Sequence, residues 1–188
     1  AVVLTRFHGV LPDPVVHFFV ANMYPIGFIF VVLGRSELFT EHTTLAVLPV
    51  LQGLASIKKL LRLWLIVYFS NIVGGILFAL ILTYFGGTLH FLQDWSLAKI
   101  GGELVAHSWI TKMFSAALAG WLMGLLAWLV AAALETVSQL FLIWIITACI
   151  GLAGLPHCIV GNIEVLSGVF TGSISFSQYI NFLIPVTL

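Results

Sequence analysis

Charge is what this chain has least of. Only 7% of its 188 residues are Asp, Glu, Lys or Arg, against about a quarter in an ordinary soluble domain. Seven basic and seven acidic residues cancel, so there is no electrostatic basis for nucleic-acid binding and no acidic or basic tail. Cysteine is almost missing. Cys149 and Cys158 sit in apolar surroundings, where they read as small packing residues and fix no redox compartment. The six histidines are scattered rather than set at ligand spacing, and no phosphate or nucleotide motif is present. Neither an enzyme, a metal site nor a cofactor is therefore expected.

What the chain has instead is apolar surface: 61% of it is hydrophobic, far more than a water-soluble globule of this length would need. It reads as an integral, all-α membrane protein. A spanning helix needs about 20 apolar residues, and residues 15–34, 63–86 and 113–134 meet that length. The first of these carries His17, Asn22 and a kink expected at Pro25; the second carries Asn71 and a Gly74-Gly75 pair that lets a neighbouring helix approach closely. Residues 43–54 and 159–172 are apolar but too short to span alone, and 176–188 begin a further helix. Both ends read as cut: residues 1–6 resemble the tail of a helix, and the last residues stop within an apolar run. No signal peptide can be judged from such an N-terminus.

Two interruptions organise the rest, one at Gly34-Arg35-Ser36-Glu37-Leu38-Phe39-Thr40 and one at Gly154-Leu155-Pro156-His157-Cys158. Non-helical backbone at membrane depth is expensive unless protein or a water-filled cavity surrounds it, so paired breaks predict the two sides of a permeation pathway. Lys58, Lys59 and Arg62 place the loop after the first broken traverse in the cytoplasm. Residues 87–112, with Asp94, Lys99 and Glu103, read as the opposite loop, with Trp95 and Trp109 as interface anchors. The two broken traverses are then antiparallel, as an inverted repeat requires. Trp64-Leu65-Ile66 and Phe182-Leu183-Ile184 supply a weak internal match, and Thr40 to Leu65 (about 25 residues) is spaced nearly as His157 to Leu183 (about 26).

The breaks also carry the chemistry. Arg35, Glu37 and Glu41 bring charge between apolar helices, where it either stitches the loop or meets the solute. Thr40 offers a hydroxyl that can donate to an anion, and Phe39 beside it can narrow the path. Pro156 removes an amide donor and disfavours helix at Leu155. Imidazole ordinarily titrates near neutral pH, so His157 could offer an anion a hydrogen bond or a proton. Half-helices starting near Glu41 and Cys158 would aim N-terminal amides at the gap, which favours an anion; Glu164, late in the second half-helix, keeps a cation route open.

In these motifs the chain resembles the formate/nitrite transporter family, pentameric channels whose aquaporin-like protomer has six spans. The family's Gly-x-x-Leu-Phe-Thr loop stands as Gly34 to Thr40, one residue longer. Its third-span pattern stands as Trp64-Leu65-Ile66-Val67-Tyr68-Phe69-Ser70-Asn71-Ile72-Val73-Gly74, and its sixth-span opening as Asn181-Phe182-Leu183-Ile184-Pro185-Val186-Thr187. The resemblance implies one transmembrane channel domain over residues 1–188, from the end of span one to the start of span six, with its discontinuous helices in inverted repeat. It implies that Phe39 lies at the cytoplasmic-side constriction, that Thr40 faces the chamber, that Ile150 lies at the other constriction, that His157 protonates or hydrogen-bonds the anion, and that Leu38, Trp121 and Asn162 also belong to the pathway. Around that histidine the family's Phe-Glu-His-Ser-x-Ala-Asn-Met is replaced by Leu155 to Ile163, with proline for glutamate and the asparagine one position late at Asn162. Trp121 stands where the family has a chamber-facing asparagine. The expected protein is thus a divergent homopentameric channel or transporter for a small monovalent anion or its conjugate acid, in the bilayer of a prokaryotic inner membrane. A neutral-solute channel and a non-transporting scaffold subunit are the alternatives.

Overall fold

The computed structural model describes residues 10–86 and 94–187, leaving out the side chains of 42 and 94–98. The helix tail expected at 1–6 and the anchor expected at Trp95 lie outside what is described. Eight helices are present among the described residues: α1 (Asp13–Leu33), α2 (Phe39–Leu51), α3 (Ile57–Phe85), α4 (Asp94–Ala106), α5 (Trp109–Ala132), α6 (Thr136–Leu152), α7 (Cys158–Phe170) and α8 (Phe176–Thr187). Three of them, α1, α3 and α5, are long and apolar enough to cross a membrane. Pro25 sits buried inside α1 without ending it.

The broken traverses are α1–α2 and α6–α7. Both breaks use the same turn. Arg35 and Gly154 take left-handed backbone, with φ of 53° and 61°. Ser36 N–H donates to the Val31 carbonyl, and Leu155 N–H to that of Ile150, at 2.9 and 3.1 Å. Each turn satisfies carbonyls that the helix end would otherwise leave bare. The following half-helices are 13 residues each and end alike, with left-handed Gly53 and Gly172. Ser56 and Ser175 then accept an amide hydrogen from Lys59 and Gln178 at the start of α3 and α8. Arg35 and Gly154, Leu38 and His157, Gly53 and Gly172, Ser56 and Ser175 all differ by 119 positions. The internal match expected between Trp64 and Phe182 is therefore one residue out of register; Trp64 corresponds to Leu183.

Within the segment expected to be a loop from its charges, most of the described residues are helical. Helix α4 occupies 94–106 and lies against α7. Gly101 permits the contact, since a Cβ there would stand 2.9 Å from the Glu164 carbonyl oxygen. Of the charged residues that suggested a loop, Lys99 and Glu103 are exposed. Glycine plays the same part at other crossings: Gly151 meets Ala21 between α6 and α1, Gly75 meets Asn162 between α3 and α7, and Gly124 meets Thr44 between α5 and α2. In lipid, where no hydrophobic drive presses helices together, such close backbone approach is the main source of packing energy. Helix α1 runs antiparallel to α6, because His17 near its start reaches the Leu152 carbonyl at 3.1 Å. Phe28, Ile143, Met123, Val165 and Phe182 fill the centre.

Candidate functional site

The two breaks meet through a hydrogen bond. Thr40, in the first turn of α2, has its hydroxyl 2.7 Å from His157 Nε2. His157 is the N-cap of α7, and its Nδ1 accepts the amide hydrogens of Ile159 and Val160, both at 3.3 Å. That settles the tautomer. An Nδ1 that accepts carries no proton in neutral imidazole, so Nε2 bears the hydrogen and donates it to Thr40 Oγ1. The Thr40 hydroxyl then keeps its own hydrogen to give. Phe28 holds the imidazole edge-on, with ring centroids 5.3 Å apart.

The first break is fixed from outside. Asn71 of α3 accepts the Phe39 amide hydrogen and donates to the Glu37 carbonyl, both at 2.9 Å. Phe39 packs edge-on against Tyr68, 5.0 Å between centroids. The half-helix amides expected to face the gap are thus partly engaged already, by Asn71 in α2 and by His157 in α7.

His157 lines a cavity on each side. One, of about 390 Å³, holds Phe39, Thr40, Thr43 and Trp64 with Pro156 and Thr187. The other, of about 210 Å³, holds Tyr24, Ile150 and Glu164, with His17 and Glu103 toward its exterior. Of the residues expected in the pathway, Phe39, Thr40 and His157 share the first cavity, and Ile150 shares the second with His157. Leu38 is buried as the N-cap of α2, at the position that corresponds to His157. Trp121 is 66% exposed on the outer surface, apart from both cavities. Asn162 is fully buried and turned to α8, where its Oδ1 accepts the Tyr179 hydroxyl hydrogen at 2.7 Å.

Three residues escaped sequence reasoning. Phe28 and Tyr24 were two aromatics among many in an apolar run. Lys112 read as the end of a loop, yet it lies in the first turn of α5, only 4% exposed, in a cavity of about 170 Å³ beside Gly154 and Pro156. An intramembrane lysine is itself a functional signal; the misplaced loop boundary concealed it.

Comparison with protein families matches the whole stretch 1–188 to the formate/nitrite transporters. The chain belongs to the formate/nitrite transporter family. It is 33% identical over 159 residues to the inner membrane protein YfdC of Escherichia coli, covering 84% of this chain and 50% of that protein. A probable formate transporter of Methanothermobacter thermautotrophicus is 28% identical over 183 residues, covering 88% and 66%. The chain thus spans between half and two thirds of the length of these relatives. Among solved structures, an FNT family ion channel superposes with a TM-score of 0.87 at 21% identity, covering 100% of this chain and 76% of that one. A pentameric formate channel with formate bound gives 0.75 at 23% identity, covering 95% and 78%. These likenesses establish the fold: the formate/nitrite transporter architecture with two discontinuous helices.

Proposed function

We propose that the protein conducts small monovalent anions, or their conjugate weak acids, across a prokaryotic inner membrane, with Thr40 and His157 as the polar step between two cavities. The observation that carries this reading is the 2.7 Å bond joining the two breaks. It leaves one hydroxyl hydrogen free to donate to an anion at the point where the half-helices converge. A neutral donor suits transport, because it lowers the barrier for a charge without holding it. Phe39 and Leu38 on one side, and Ile150 with Tyr24 on the other, supply the apolar narrowing.

The geometry favours His157 as a hydrogen-bond donor over a proton donor. Protonating Nδ1 would release the Ile159 and Val160 amides and put a positive charge at the positive end of the α7 dipole. Lys112, buried beside Pro156, supplies positive charge near the second break. Large apolar side chains such as Phe69, Phe114, Trp121 and Trp128 stand exposed on the protomer, as lipid contact and a homopentamer of the kind its structural relative forms would require.

The test is flux through the assembled protein in liposomes. Formate or nitrite uptake is expected, reduced at least tenfold by His157→Ala and by Thr40→Val. Passage of neutral solutes only would overturn the proposal in favour of an aquaporin-like channel, and absence of any flux would favour a scaffold subunit.

A further inference from the structure

The cavity on the Ile150 side contains a carboxyl that an anion pathway has no evident use for. Glu164 sits partly buried on α7 and lines the same space of about 210 Å³ as His157. A fixed negative charge there would repel the solute that Thr40 and Lys112 attract. A carboxyl able to give up a proton would not, since it turns an arriving anion into a neutral acid. His157 is poorly placed for that task, its Nδ1 being occupied by two backbone amides while Nε2 serves Thr40.

We infer that Glu164 is the proton donor of the pathway, protonating a small weak-acid anion within the cavity it shares with His157. This rests on the reading of the protein as an anion pathway and assigns its acid–base step. The Glu164 O–H bond breaks and an O–H bond forms on the anion, giving the neutral acid and a carboxylate; a proton from the exterior restores the carboxyl. Exposed Glu103 and His17 line the outer part of the cavity and lead that proton inward. The titratable groups facing Glu164 are His17 and Tyr24 from α1, Glu103 from α4 and His157 from its own break. From α3 and α8, Tyr68 and Tyr179 are tied to Thr187 and Asn162. Of the groups lining the cavity, Tyr24 is a phenol, far too weak an acid to protonate such an anion, and His17 and Glu103 are exposed at its outer part, which leaves Glu164 as the inner carboxyl.

The experiment follows formate uptake and internal pH together in liposomes holding the full-length assembled protein, at several external pH values. Glu164→Gln is expected to lower proton-coupled uptake at least tenfold and to flatten its pH profile, with formate still competing for entry at an unchanged half-saturating concentration. Glu164→Asp should restore most of the coupling, which a purely structural role for the longer side chain would not do. Unchanged coupling in Glu164→Gln, or its loss in Glu164→Asp to the same degree, would overturn the assignment. So would a pH profile that is lost in His157→Asn and retained in Glu164→Gln. If the unsubstituted protein moves no anion, the anion reading itself fails; if it moves anions with the same proton coupling in Glu164→Gln, only the assignment fails.

Discussion

Replacing Asn71 by leucine should open the first break without disturbing α3. Leucine suits an apolar helix surface, so the change acts through the two hydrogen bonds it removes: Phe39 N–H to Oδ1 and Nδ2 to the Glu37 carbonyl. An unpaired buried backbone group costs about 1–3 kcal/mol, and the more exposed Glu37 carbonyl recovers part of its share from water, so the local loss is about 2–4 kcal/mol. At about 1.4 kcal/mol per tenfold, the Phe39 amide should exchange hydrogen about 30-fold faster or more. Thr40 is the next residue, and its 2.7 Å bond to His157 depends on that turn. Transport should therefore fall further than thermal stability does. Amide exchange followed by mass spectrometry over residues 34–44, alongside flux in liposomes, reads both. Asn71→Asp gives the control: it keeps an acceptor for Phe39 and loses the donor to Glu37, and should fall between the two. If Asn71→Leu leaves exchange across the break unchanged, the break is held by something other than this clamp.

Further outcomes follow from the paired turns and the buried polar contacts. Gly154→Ala should cost about 1 kcal/mol, because its φ of 61° is left-handed while nothing stands within 4 Å of a new Cβ; thermal melting of the assembled protein in detergent measures it. Arg35→Gly at the equivalent position should not destabilise the first turn and should gain up to about 1 kcal/mol from relief of the same strain; a loss of stability there would show that the guanidinium matters more than the backbone. Tyr179→Phe removes the hydrogen that Asn162 Oδ1 accepts, and with Asn162 Nδ2 already unpaired should cost about 1–3 kcal/mol. Its ion selectivity should remain, and a changed selectivity at unchanged stability would return Asn162 to the pathway.

The breaks themselves were plain in the sequence because polar residues and helix breakers inside apolar runs have few physical explanations. The register between them was not. Apolar triplets such as Trp64-Leu65-Ile66 recur in any membrane protein, whereas the 119-residue offset is set by turn chemistry. Gly53-Leu54-Ala55-Ser56 and Gly172-Ser173-Ile174-Ser175 share a Gly-x-x-Ser pattern, one residue ending a half-helix and the other capping the next helix. That pattern was the available signal. Helix α4 was hidden for a different reason: a short helix that lies against a neighbour needs no long apolar run, and its charges resemble those of a loop.

The correct register also locates where the symmetry stops. An inverted repeat makes the backbones of the two breaks alike, so any function that depends on direction or charge must come from side chains that differ at equivalent positions. Leu38 corresponds to His157, Phe39 to Cys158 and Thr40 to Ile159. The first half contributes a hydroxyl and an aromatic, the second an imidazole, and each lacks what the other brings. The stabilisation is equally divided: the second break carries its own cap in His157, while the first, with leucine at that position, must borrow Asn71 from α3. A residue that caps its own helix has one nitrogen committed to structure and one available to the pathway. If Thr40 and His157 form the polar step of a pathway, His157 is placed to orient Thr40, and a solute that crosses as an acid would take its proton from a carboxyl elsewhere in the cavity.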